Sequence, residues 1–277
     1  MPTPDAITVA QLLRLVGTPD APLILDVRQD DERADDPRFL PAGQWRDHRG
    51  VARWAPEFAG TSVVVACRAG HAPSQGVAAW LRNAGARAEY LEGGFDAWRR
   101  AGGLLVRPDR LPPRDGHGRT VWVTRARPKI DRIACPWLIR RFVDRSALFL
   151  FVAPSEIAGV AEQFAAATFD TEGSFWSHRG DACTFDAMLD EFALRTPALD
   201  RLAAIVRAAD TARLDQAPQA AGLLAASLGL SRMFRDDLAQ LDAAMGLYDA
   251  FYRWARDAAA ETHHWPPPGG RERGDGA

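Results

Sequence analysis

"VVVACRAGHAPSQGVAAWL", Val63 to Leu81, runs three valines and an alanine into a cysteine, then six loop-type residues, then helical apolar spacing. A short β-branched run reads as a buried strand. Gly70 permits a tight backbone path, Ser74 can cap a helix, and Gly85 ends "SQGVAAWLRNAG" as a C-terminal signal. Cys67 therefore stands where a strand hands over to a helix. There, loop amides and the helix dipole favour a thiolate and a bound anion together. Arg68 and His71 add positive charge. The plainer alternative is a small buried cysteine that only completes a core strand.

The same alternation extends on both sides of this stretch. "TVAQLLRLV" is helical by spacing, with a threonine start signal. "APLILDV" and "RAEYLEGG" read as strands, the second leading into a glycine turn, and "FDAWRRAGG" as a short helix. Alternating strands and helices imply a parallel sheet covered on both faces. "VRPDRLPPRDGHGR" is rich in proline, glycine and charge and reads as a linker. Beyond it "TVWVT" and "ALFLFV" are strand-like, and "KIDRIACPWLIRRFVD" and "SEIAGVAEQFAA" are helical. The remainder is helical to about Asp257. The expected organisation is an α/β domain at 1–105, a linker at 106–118, a mixed, mostly helical domain at 119–265 and a disordered tail at 266–277.

The chain has 277 residues, 47% hydrophobic, with a net charge of −2. That is enough for a substantial core, and it gives no global footprint for nucleic acid. No helix-turn-helix is evident. The apolar runs fall far short of the roughly 20 residues a spanning helix needs, and no signal peptide is visible. The expected location is the cytoplasm, with no membrane partner. Cys67, Cys135 and Cys183 are odd in number and widely spaced, which argues for reduced thiols.

Two clusters stand out in the second half. Trp122 to Phe142 holds six basic residues and one acid, Asp131. Arg125, Lys129, Arg132 and Arg140 form a candidate anion site there, against the alternative of a solvated basic face. The helix's apolar side is Ile130, Ile133, Ala134, Trp137, Leu138 and Phe142, and Pro136 implies a start or kink near Cys135. Further on, Asp170, Glu172, His178 and Cys183 are all metal-ligand types on a loop-rich segment, with Asp210 a further candidate. No pair has a diagnostic metal-site spacing. His263 and His264 read as exposed residues beside the tail.

With "LILDVR" (Asp26 and Arg28), "CRAGHAPS" and "YLEGGFDAWRRAG" in order, residues 5–105 resemble the rhodanese (sulfurtransferase) domain. The resemblance implies thiosulfate sulfurtransferase-like chemistry, with Cys67 as the persulfide-forming nucleophile. The loop Arg68, Ala69, Gly70, His71 and Ser74 would hold the anionic donor, and a thiol would accept the sulfur. The loop is about one residue longer than the family's common form. Pro73 stands where phosphatase-like members carry a closing arginine.

"RPKIDRIACPWLIRRFVD", "SHRGDACTFDA", "IVRAADTARLDQAPQAAGLLAASLGLSR" and "LYDAFYRWAR" are similar to the C-terminal domain of the chromate-resistance protein ChrB, across 120–257. That resemblance implies a role in chromate resistance or its regulation. Two other readings stand beside sulfur transfer. One is a chromate-responsive regulator binding oxyanion or DNA through Arg125–Arg141. The other is a metal-dependent enzyme, with a metal ion in the C-terminal domain.

Overall fold

A computed structural model describes residues 5–261 of the chain. The expected disordered tail, His263 and His264 lie outside those residues. The first half holds β1 (Ala6–Ile7), α1 (Val9–Leu15), β2 (Leu23–Asp26), α2 (Asp30–Asp35), β3 (Gln44–Trp45), α3 (Val51–Trp54), β4 (Ser62–Ala66), α4 (Ala72–Asn83), β5 (Arg87–Leu91) and α5 (Gly94–Arg100). The strands form one parallel sheet in the order β1-β5-β4-β2-β3. This is the parallel α/β arrangement the alternation predicts, and it agrees with the fold that the rhodanese resemblance implies. The two-residue strands β1 and β3 are too short for any periodicity to reveal.

The quoted stretch explains why the sheet needs helices on both faces. Successive side chains on a strand point to opposite sides. Val63 and Val65 enter one core with Leu25, Trp54, Phe58, Val77 and Leu81. Val64 and Ala66 enter another with Ile24, Leu12, Phe95 and Trp98. Each fully buried valine contributes on the order of 1.5–3 kcal/mol of burial, so neither face of β4 tolerates water.

The second half holds β6 (Val121–Arg125), α6 (Asp131–Leu138), β7 (Leu148–Val152), α7 (Ile157–Phe164), β8 (Ala167–Thr168), α8 (Thr184–Glu191), α9 (Pro197–Asp210), α10 (Ala220–Met233) and α11 (Asp237–Arg253). A three-stranded parallel sheet, β7-β6-β8, packs against this helical region. The helix α6 runs through Pro136 and then widens into a π-helical turn, Ile139–Val143. The widening follows the proline, which lacks the N–H that would bond the preceding turn. All six residues of the expected apolar side are buried.

One hydrophobic core joins the two halves. Leu12, Phe95 and Trp98 share it with Trp137, Phe142, Tyr248 and Tyr252. Phe142 is the wedge. Its carbonyl accepts from Ala42 N at 2.6 Å. Its ring lies where a side chain on Gly17 would sit: an added Cβ would come within 2.3 Å of it. Arg145 and Arg256 donate across the same junction to the carbonyls of Ala21 and Val16. The segment between the halves is pinned as well. Val106 bridges to Phe39, and Arg114 bridges to Thr120 and reaches Asp144 at 3.2 Å.

Gly17 has φ +77° as well as no room for a side chain. Gly17→Ala is expected to lower stability by about 1–3 kcal/mol, from the positive φ and the displaced Phe142 ring. Urea unfolding of the whole chain reads this. An unchanged midpoint would mean that the Phe142 wedge does not hold the halves together.

Candidate functional site

Cys67 follows β4 directly and is 4% exposed. Its carbonyl accepts from Phe95 N at 2.9 Å, and the Arg68 carbonyl accepts from Asp96 N at 3.0 Å. The first turn of α5 therefore fastens the cysteine loop. Close approach makes glycine necessary on both sides. A Cβ on Gly94 would lie 2.3 Å from the Cys67 carbonyl oxygen and 2.6 Å from Gly70 N, and one on Gly70 2.7 Å from Gly93 N. The "EGG" of the sequence is thus part of the cysteine site.

The Cys67 Sγ lies 3.1 Å from the Ser74 hydroxyl, which also approaches the His71 carbonyl at 3.1 Å. Ser74 is buried in the first turn of α4, whose dipole points at the thiol. The amides of Arg68, Ala69, Gly70 and His71 donate to no protein acceptor among the described residues. Four successive amides before a helix N-terminus are thus left without a protein acceptor. Arg68 faces away from that role. It pairs with Asp35 at 3.2 Å and Asp96 at 3.6 Å. His71 is exposed at the mouth of the loop. The Asp26 and Arg28 pair braces the scaffold nearby. Arg28 binds Asp26 at 2.7 Å, donates to the Asp36 and Arg38 carbonyls, and lies over the Phe95 ring at 3.7 Å.

The expected anion site in the second half does not assemble. Arg125 and Arg132 do come together, but around Asp170, at 3.4 and 3.2 Å. Arg140 turns to Asp242 at 2.7 Å on α11. Lys129 lines a separate cleft with Arg127 and Arg232. Arg127 and Arg141 pair with Asp237 and Asp249. Arg132 and Arg140 lie on α6 and the turn that extends it, yet the acids that meet them come from different elements. Arg125, Arg127, Arg132, Arg140 and Arg141 are thus each paired with an aspartate, while Lys129 faces the cleft.

A different constellation forms at His178. Its Nε2 lies 3.5 Å from Asp131 Oδ2, 3.5 Å from Asp170 Oδ1 and 3.2 Å from Asp210 Oδ2. Of the expected metal ligands, Asp170 and His178 meet here. Glu172 is exposed at the rim of an adjoining cavity of about 670 Å³. Cys183 is fully buried as the N-cap of α8, its thiol donating to Asp186 at 3.4 Å. Burial and nearby carboxylates push the Cys183 thiol far up, so it stays a thiol. Their places are taken by Asp210, at the end of α9, and Asp131, at the start of α6. Asp131 lay hidden in a basic segment, where nothing in its spacing pointed to Asp170 or His178.

Asp131 is fully buried. Its Oδ2 accepts from Thr184 N at 2.6 Å, the first amide of α8. Ile130, at φ 40°, aims it there, held by Ser227 Oγ on its amide at 3.3 Å and Tyr248 on its carbonyl at 3.0 Å. Asp170, also at positive φ, takes Thr184 Oγ1 at 2.9 Å. Desolvation first, then the charges of Asp210 and Asp170, push the Asp131 carboxyl well above the usual range. The Thr184 amide and nearby Cys183 thiol oppose that shift. Asp210 is raised too, by burial and then by Asp170.

Comparisons with known proteins agree with this two-part architecture. Residues 8–101 match the family model described as a rhodanese-like domain, and residues 122–255 match that of the ChrB C-terminal domain. Protein ChrB of Cupriavidus metallidurans is 32% identical over 149 residues, 52% of this chain and 43% of that protein. The match thus spans less than half of that relative. Among solved structures, a rhodanese-related protein from Thermoplasma volcanium is 22% identical, covering 36% of this chain and 96% of its own, with a TM-score of 0.32. A thiosulfate sulfurtransferase from Pseudomonas aeruginosa is 24% identical, covering 38% of this chain and 19% of its own, with a TM-score of 0.30. Family models for a rhodanese-like domain and for a ChrB C-terminal domain thus match the first and second parts of the chain in order. Among the described residues no helix is long and apolar enough to cross a membrane.

Cys135 and Cys183 are both 0% exposed, so alkylation of the native protein reads Cys67. Gly94→Ala is expected to unseat the Cys67 carbonyl and loosen the loop. Iodoacetamide should then modify Cys67 several-fold faster than in the parent chain. An equal rate would show that the glycine turn does not position the thiol.

Proposed function

We propose that this rhodanese-like domain, joined to a ChrB C-terminal domain, transfers sulfane sulfur from a small oxyanion through Cys67. The observation that carries the reading is the row of unclaimed amides from Arg68 to His71 beside the thiol. Such a row stabilises negative charge on a bound donor and on the sulfur attached to Cys67.

In the proposed reaction the Cys67 thiolate attacks the outer sulfur of thiosulfate. A new S–S bond forms on Cys67. The sulfur–sulfur bond of thiosulfate breaks, and sulfite leaves with the electron pair. Cys67 is left as a persulfide. An acceptor thiolate then attacks the outer sulfur and releases the Cys67 thiolate. The Ser74 hydroxyl, 3.1 Å from Sγ, can donate to the thiolate. The helix N-terminus favours that charge as well. Pro73 puts no cation on the loop, which suits a route in which the anion leaves after each turn.

The ChrB match supports a role in chromate resistance. Chromate and sulfur oxyanions are tetrahedral dianions of similar shape, so the same amides would accept either. Chromate is therefore expected to slow sulfur loading in competition with thiosulfate.

Incubation with thiosulfate should add the mass of one sulfur to Cys67, and none to a Cys67→Ser variant. Thiosulfate-dependent thiocyanate formation should fall to background in that variant. A parent chain that gains no sulfur under these conditions would end the proposal.

A further inference from the structure

We propose that Asp131, Asp170 and His178, with Asp210 beside the imidazole, bind a divalent cation of the first transition row, in a site separate from Cys67. The three carboxylates approach one imidazole nitrogen, His178 Nε2, at 3.5, 3.5 and 3.2 Å. None of these three approaches to His178 has hydrogen-bond geometry. One N–H can point at one acceptor, so hydrogen bonding does not account for three oxygens gathered round it. Ligands around a shared ion do gather this way. With metal–ligand bonds of about 2.1 Å, neighbouring donor atoms of a tetrahedron stand ~3.4 Å apart.

The second observation is Asp131 itself. Its Oδ1 is buried and has no hydrogen-bond partner. The residue is 0% exposed, and its other oxygen is already committed to the Thr184 amide. A buried carboxylate oxygen left unpaired is costly unless it meets a charge. The carboxylate sits within the same small space as Asp170 and His178, whose candidate donor atoms all lie within 4.8 Å of one another.

The donor set chooses the metal class. One imidazole with carboxylates and no thiolate suits Mn²⁺, Fe²⁺ or Zn²⁺ and excludes a soft ion such as Cu(I). Cys183 stays outside as a thiol bonded to Asp186. His178 and Asp170 also line the wall of the 670 Å³ cavity, along with Arg125, Ser174 and Ser177. An ion held here would keep a side open to that cavity, where Arg125 favours an anionic oxygen donor.

The test uses the full chain stripped with chelator and then titrated with Mn²⁺, followed by electron paramagnetic resonance of the free ion, with Zn²⁺ as competitor. One Mn²⁺ per chain is expected, displaced by Zn²⁺. Asp210→Asn lies at a partly exposed helix end, so it should fold as judged by circular dichroism. It should weaken Mn²⁺ binding by about tenfold or more. His178→Ala should do the same, and Cys183→Ser should leave binding unchanged. Absence of stoichiometric Mn²⁺ and Zn²⁺ binding would overturn the inference. So would equal binding by the parent chain, Asp210→Asn and His178→Ala, or loss of binding in Cys183→Ser alone.

Discussion

A carboxylate with no exposure to water has to be met by charge or by hydrogen bonds, and Asp131 imposes that demand on the second half of the chain. Removing the neighbours of a buried charge typically costs several kcal/mol. The helix α8 meets this carboxylate with its first amide and the loop after β8 with His178 at 3.5 Å, while Asp170 and Asp210 crowd the same space with like charge. Ile130 accepts a backbone conformation that branched residues avoid, and Ser227 of α10 and Tyr248 of α11 hold it there. Segments distant in sequence thus converge on Ile130 and Asp131 at the start of α6.

The arginine-rich composition acquires a structural use here. Lys129 is the one lysine among 34 lysines and arginines, and many of the arginines are engaged in ways a lysine could not copy. Arg127 reaches the carbonyls of Ser231, Phe234 and Arg235 together with Asp237. Arg207 and Arg195 both engage the buried Asp186. A planar guanidinium with five donors serves several acceptors at once. What reads in sequence as a basic patch is therefore in good part internal joinery.

Local chemistry was legible in the sequence; convergence across the fold was not. The alternation of Val63 to Ala66, the glycine and serine around Cys67 and the apolar side of α6 all follow from periodicity and turn preferences. So did the placing of Cys67 between strand and helix. The site at His178 was half visible. Asp170 and His178 lie close enough in sequence to suggest a shared site, and Asp210 stands apart as a further ligand type. Asp131 reads as an isolated acid among cations, because only tertiary packing carries it to His178. Glu172 and Cys183 fit a ligand set by residue type alone. The structure turns one to solvent and makes the other a helix cap. The segment 106–118 reads as a connector by composition, and its residues do connect. Composition did not show that Val106 and Arg114 anchor it to both halves.

The Phe142 wedge carries a consequence for how the chain responds to its ligands. Because one core spans both halves, unfolding either half exposes apolar surface of the other. Any molecule that binds the native form of one half therefore raises the free energy needed to open both, by an amount set by its concentration relative to its dissociation constant. No movement between the halves is required. In a cell that continually degrades opened chains, occupancy at one end would lengthen the life of the entire polypeptide. Abundance itself would then report on ligand supply, and the signal would pass between the two halves through survival instead of shape.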